Sequence, residues 1–270
     1  MIMKAISSFL MLLLATTAAL PIRAQDWAIK QLENSPRHQE KVFVKNGDRN
    51  ISCFLVYPEA AGDATVVILI HENRGLNDWA RSMADQVAGE GFIVIAPDFI
   101  SGKAPGGGDT PDFPNSDAAR DAIYELNPDQ ITSDLNAVFT YAKKIPAGNG
   151  KVALMGFCWG GSQTFQYATN NPDIEAAFVF YGSGPEEQDA YNRIQAPVYG
   201  FYGGNDNRVN ATIENSEKMM EKAGKTYKPV IYEGAGHGFM RAGQEPNATP
   251  DNKKARDSGF ERLIQLLKEI

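Results

Sequence analysis

The most reactive side chain that the sequence presents in an ordered pattern is the cysteine of Gly156-Phe157-Cys158-Trp159-Gly160-Gly161. It stands between an apolar run at residues 152–155 and a segment of helical period. Small residues on both sides of a nucleophile permit a sharp strand-to-helix turn that lifts the central side chain above a sheet. A thiol so placed faces the unpaired N–H groups of a helix start, which favour the thiolate, and the N–H of Trp159 is aimed at a developing oxyanion. The plainer reading of the same hexapeptide is a tight glycine turn around a buried cysteine. Chain order separates the two, because in this arrangement an acid and then a histidine follow the nucleophile. Of the three histidines, His38 and His71 precede Cys158, which leaves His237, set in Gly234-Ala235-Gly236-His237-Gly238-Phe239-Met240. The acid is expected after the preceding strand, where residues 198–206 end in Asp206. Asp206 would hold the imidazole in the tautomer that accepts the thiol proton. Its plainer reading is a helix N-cap, and Asp189 is the nearest competitor, in a less suitable context.

A second polar cluster, His71-Glu72-Asn73-Arg74-Gly75-Leu76, follows the apolar run at residues 66–70. This is where the same arrangement draws its second oxyanion donor from a loop, and the backbone N–H of Asn73 is the candidate. His71 and Arg74 read equally well as structural or solvent-facing. No metal ligand spacing such as H-E-x-x-H is present, and the chemistry requires no cofactor.

The elements needed to position these residues are legible as apolar runs. Residues 66–70, 92–96, 152–155, 177–180, 198–201 and 230–232 are continuous rather than alternating, as in a parallel sheet covered on both faces. Residues 41–44 and 51–57 flank Asn46-Gly47 and predict an opening hairpin. Helical periodicity places helices near 79–89, 129–144, 162–170, 210–223 and 254–267, which completes a doubly wound α/β fold. Residues 101–115 and 242–252 read as loops, the first long and flexible and placed at the carboxyl end of a strand, where such sheets bind ligands.

The chain has 270 residues, 43% of them hydrophobic, which suffices for one large core. A net charge of -7 without a Lys/Arg cluster lacks the footprint that nucleic-acid binding needs. Lys4, the apolar run at residues 9–15 and the small residues up to Ala24 read as a secretory signal peptide over 1–24. The rival, an uncleaved anchor, is interrupted by Thr16, Thr17, Pro21 and Arg23 and is short against the roughly 20 apolar residues of a span. The mature protein is then a single domain over 25–270, periplasmic or secreted, without a stable membrane anchor and expected to be a monomer. In an oxidising compartment Cys53 and Cys158 invite a disulfide, yet Cys53 sits in a β-rich run and reads better as a small buried hydrophobe.

The motifs His71-Glu72-Asn73-Arg74-Gly75, Ala96-Pro97-Asp98, Gly156 to Gly161, Gly203-Gly204-Asn205-Asp206 and Gly236-His237-Gly238-Phe239 together resemble those of the dienelactone hydrolase family. The resemblance implies the α/β-hydrolase fold, a Cys158-Asp206-His237 triad, and a Glu72 that contacts the thiol and helps switch it to the thiolate once substrate arrives. It also implies that Arg241 binds a substrate carboxylate. Members acting on dienelactone carry a further arginine after the Pro-Asp pair, whereas Gly102 stands there in this chain, with Lys103 beside it as a point-charge substitute. The expected activity is hydrolysis of a small-molecule ester or lactone through a thioacyl intermediate. The alternatives are a non-catalytic small-molecule-binding protein on the same scaffold and a thiol redox protein using Cys158 and Cys53, the latter without a C-x-x-C motif to support it.

Overall fold

The continuous apolar runs form the centre of one eight-stranded sheet. A computed structural model describes residues 25–59 and 62–270; the expected signal peptide lies outside them. In chain order the elements are α1 (Asp26–Glu33), β1 (Gln39–Asn46), β2 (Arg49–Val56), β3 (Ala64–Ile70), α2 (Asp78–Ala88), β4 (Ile93–Pro97), α3 (Ser116–Tyr124) and α4 (Pro128–Ala142). There follow β5 (Gly148–Phe157), α5 (Trp159–Ala168), β6 (Ala177–Phe180), β7 (Val198–Gly203), α6 (Asn207–Asn210), α7 (Ile213–Lys222), β8 (Tyr227–Tyr232), α8 (Phe239–Ala242) and α9 (Pro250–Leu267). The sheet order is β1-β2-β4-β3-β5-β6-β7-β8. The β2 strand runs antiparallel to β1 and β4, and every other pairing is parallel.

Every residue of β3 is buried, and successive side chains enter opposite layers. Val66, Ile68 and Ile70 belong to one buried layer with Leu135 and Val138 of α4, Phe165 of α5 and Met220 of α7. Val67 and Leu69 belong to the opposite layer, with Trp79, Met83 and Val87 of α2 and Leu263 and Leu267 of α9. This two-layer covering is what an unbroken apolar strand requires, and the predicted mostly parallel sheet with an N-terminal hairpin is the observed one.

Several local expectations are corrected. The hairpin strands pair as far as Asn46 and Arg49, so the two-residue turn is Gly47-Asp48, with Gly47 at φ 59°. The β8 strand is not buried throughout: Val230 and Ile231 are 36% and 53% exposed, because β8 is the sheet's edge. Pro229 is tolerated there for the same reason. Residues 101–115 are tied down by short 3-10 turns at Pro105–Gly107 and Thr110–Asp112. Both carboxylate oxygens of buried Asp98 accept from Thr110, from its N–H at 2.8 Å and its hydroxyl at 2.9 Å. Two helices of eight or more residues escape the periodicity argument. The α1 helix buries only Ala28 and is held instead by polar contacts to α2. The α3 helix, capped by the Asn115 side chain, buries only Ala119 and Ile123.

The topology carries the residues of interest to one side. Cys158 follows β5, Asp206 follows β7, His237 follows β8 and the His71 cluster follows β3, all at carboxyl ends of parallel strands.

Candidate active site

Cys158 adopts φ 56° and ψ -115°, a left-handed backbone that costs a non-glycine residue about 1–3 kcal/mol. The turn is held from both sides. A Cβ on Gly156 would collide with the carbonyl of Gly160, and a Cβ on Gly160 with the carbonyls of Ile70 and His71 at the end of β3. The Cys158 N–H donates to Phe180 O of β6 at 3.0 Å. Helix α5 begins at Trp159, three residues earlier than periodicity suggested. The Trp159 N–H is therefore at a first helical position, where no carbonyl one turn back can accept it.

His237 Nε2 lies 3.1 Å from Cys158 Sγ, and His237 Nδ1 lies 2.5 Å from Asp206 Oδ2. An ionised carboxylate only accepts, so Nδ1 carries the hydrogen and Nε2 presents its lone pair to the thiol. Asp206 also caps α6, accepting from Val209 N–H at 3.4 Å, so the capping and orienting readings hold together. Asp189 is exposed, in the 3-10 turn Gln188–Arg193, and plays no part. Both cysteines are unpaired, with Cys53 buried in β2.

Glu72 is buried at the opposite wall. Its Oε2 accepts from Arg241 Nε at 3.0 Å and its Oε1 from the Tyr181 hydroxyl at 3.3 Å. Glu72 makes no hydrogen bond to the thiol, in contrast to the implied contact, but its charge reaches it. Burial first and then the Glu72 carboxylate push the Cys158 thiol up from an ordinary 9.0 to about 11, against the lowering influence of Trp159 N–H and Arg208. At neutral pH Cys158 therefore rests as the thiol, a departure from the thiolate expected at a helix start.

Arg241 is occupied: besides Glu72 it holds Glu245, Nη1 to Oε1 at 3.0 Å. Lys103 does not reach the site. The loop folds back on itself through Gly102 N–H to Gly108 O, at 3.0 Å, which leaves Lys103 exposed and outside the cavity lining. The cavity over Cys158 has a volume of about 580 Å³ and is lined also by Asn73, Trp159, Arg208 and His237. Another, of about 600 Å³ beside Arg74, Arg81 and Phe113, is lined by no cysteine or histidine.

Sequence reasoning did not single out Tyr181 or Arg208. Tyr181 is 1% exposed, at φ 40°, with its ring edge-on to His237 at 5.1 Å. Burial and then the Glu72 charge hold its phenol well above the usual range. Arg208 makes no hydrogen bond or ion pair to any described residue, although it faces the cavity. The only signal for either was a place just after a strand.

The model of the dienelactone hydrolase family matches residues 51–270. The chain is 33% identical over 226 residues to a protein of Synechocystis sp. named "Putative carboxymethylenebutenolidase", covering 78% of this chain and 91% of that one. A protein of the same name from Escherichia coli (strain K12) is 28% identical over 222 residues, covering 78% and 79%. Among solved structures, the "Putative Dienelactone Hydrolase" of Klebsiella pneumoniae superposes with TM-score 0.75 at 23% identity, covering 87% of this chain and 99% of that one. The dienelactone hydrolase of Anabaena variabilis gives 0.62 at 19%, covering 83% and 96%. At these identities the structures show a shared α/β-hydrolase fold.

Proposed function

The chain belongs to the dienelactone hydrolase family, and on that premise we propose that it hydrolyses carboxylic esters or lactones with Cys158 as nucleophile. The observation that carries this reading is the continuous chain from Cys158 Sγ through the His237 ring to Asp206, at 3.1 and 2.5 Å. His237 Nε2 takes the thiol proton as sulfur attacks the carbonyl carbon. The C–S bond forms while the carbonyl electron pair moves onto oxygen, which the N–H groups of Trp159 and Asn73 bind. Collapse expels the alkoxide, which takes the proton from His237; in a lactone it stays tethered as the ring opens. Water, deprotonated by the same nitrogen, then cleaves the thioester to the acid and the free thiol. Asp206 stabilises the imidazolium in both steps.

Arg241 is committed to Glu72 and Glu245, so Arg208 is the cavity cation free to pair with an anionic group on the substrate. Residues 1–24 direct export, and the mature chain works as a monomer in the periplasm or outside the cell. The test is hydrolysis of p-nitrophenyl acetate and a small lactone panel by protein lacking residues 1–24, beside Cys158→Ala. Loss of turnover in the variant is expected. Undiminished turnover there would remove the cysteine mechanism, and no turnover by either protein on any compound would favour a binding role.

A further inference from the structure

His71 is fully buried and contributes no atom to the cavity. Its Nδ1 lies 2.7 Å from the carbonyl oxygen of Glu72, and its Nε2 faces the N–H of Phe99 at 3.4 Å. A carbonyl oxygen only accepts, so Nδ1 carries the hydrogen and Nε2 accepts from Phe99. This is the neutral ring, and burial pushes the His71 pKa down and so favours it. The ring also stacks on the Trp159 indole, with centroids 5.5 Å apart and planes 17° from parallel, and meets Phe99 edge-on at 5.5 Å.

From this arrangement we infer that His71 is the positioning residue of the oxyanion pocket, setting both of its backbone donors. The described residues contain no cis peptide, and in a trans peptide C=O and N–H point in opposite directions. With the Glu72 carbonyl drawn down onto Nδ1, the Asn73 N–H points away from the buried ring, toward the cavity that Asn73 lines. That N–H has no acceptor among the described residues, as a donor kept for a ligand requires. The Asn73 side chain is turned aside onto the Tyr124 hydroxyl, at 3.1 Å. Further along the loop, Leu76 N–H is tied to Thr110 Oγ1 at 3.0 Å, which leaves the Glu72-Asn73 peptide itself to His71. The second donor, Trp159 N–H, belongs to the residue whose indole rests on the other side of the same ring. One side chain that touches no substrate thus links the loop after β3 to the first residue of α5.

The functional half of this inference rests on the proposed hydrolysis; the structural half does not. His71→Phe keeps an aromatic ring against Trp159 and removes the donor to Glu72, while His71→Asn retains an N–H donor. A misaimed donor lowers kcat for p-nitrophenyl acetate by about 10- to 100-fold in His71→Phe, somewhat below the loss from deleting one outright, with KM nearly unchanged. Alkylation of Cys158 by iodoacetamide, which develops no oxyanion, stays within about twofold of wild type on the same ground. His71→Asn recovers a substantial part of the lost kcat. Hydrolysis and alkylation falling together, or wild-type kcat in His71→Phe, would overturn the assignment. A crystal structure of His71→Phe gives a readout independent of activity: the Glu72-Asn73 peptide is expected to rotate, and an unmoved peptide overturns the inference even if no ester proves to be a substrate. If His71→Phe does not fold, the same readouts on His71→Asn decide the matter, since a kept donor must keep the peptide in place and a substantial part of kcat, and a rotated peptide there overturns the inference.

Discussion

Replacing Glu72 with glutamine isolates the electrostatic part of the Cys158 thiol's environment. With its pKa at about 11, Cys158 is ionised at pH 7.5 to roughly 0.03%, whereas a thiol at the ordinary 9.0 would be ionised to roughly 3%. The hundredfold deficit comes first from burial and next from the Glu72 carboxylate, with the Asp206 charge adding a smaller part. Glu72→Gln leaves burial in place and removes the charge. It also frees one arm of Arg241, whose unpaired guanidinium then acts in the same direction. The thiol pKa is expected to fall to a value between 9.0 and 11, by about one unit if it reaches the middle of that interval. A fall of one unit corresponds to about 1.4 kcal/mol. Because nucleophilicity declines with pKa along a slope of about 0.4–0.5, a tenfold gain in thiolate becomes a gain of about three- to fourfold in alkylation rate at pH 7.5. The assay is the pH dependence of Cys158 alkylation by iodoacetamide, with Cys53, buried and pushed far above the usual thiol range, left unreacted. A midpoint at or above that of wild type, or slower alkylation at pH 7.5, would refute the claim that Glu72 holds the resting thiol protonated.

Other outcomes follow from particular contacts. Arg208→Gln is expected to raise KM about tenfold or more for a p-nitrophenyl ester bearing a carboxylate and to leave p-nitrophenyl acetate little changed, a charge-assisted hydrogen bond being worth about 1.5–3 kcal/mol; equal effects on both esters would contradict it. Asp85, with its side chain fully buried, accepts from Gln31, Ser35, Arg37 and Gln39 and holds α1 and the start of β1 to α2. Asp85→Ala should cost about 3–5 kcal/mol in urea unfolding, the range for breaking a buried ion pair. Burial raises the Asp85 pKa, but hydrogen bonds from Arg37, Ser35 and Gln31 and the Arg37 charge outweigh it, and the carboxyl ends below its ordinary 3.8. The stability this shift contributes is present above pH 3.8 and lost as pH falls through the lower folded value, so wild type should lose stability more steeply than Asp85→Asn in that range. Expressed with residues 1–24 and recovered from the periplasm or medium, the protein should begin at Gln25 by mass spectrometry; a retained Lys4 peptide would contradict cleavage.

The grouping of Cys158, His237 and Asp206 was legible because it rests on local features that survive in one dimension. The glycines at 156, 160 and 161 mark the elbow, and chain order leaves one histidine and one well-placed aspartate after it. The state of the two flanking charges was not legible. Arg241 and Glu72 are 169 residues apart in the chain, and nothing near either announces their pairing. Lys103 looked available because the fold-back of residues 102–108 is set by backbone hydrogen bonds and by Asp98 reaching Thr110. The β8 strand has the composition of a covered strand, and only the sheet order reveals that it is an edge. Helices α1 and α3 run only 8 and 9 residues, so their apolar period repeats over too few positions to stand out as it does over the 15 of α4.

The central claim, attack by Cys158 to form a thioacyl enzyme, is tested most directly by rapid-quench mass spectrometry during turnover of p-nitrophenyl acetate. The account predicts one acetyl group on the peptide containing Cys158, formed at least as fast as product is released and absent from Cys158→Ala. Steady turnover with no adduct on that peptide, undiminished in Cys158→Ala, would contradict it.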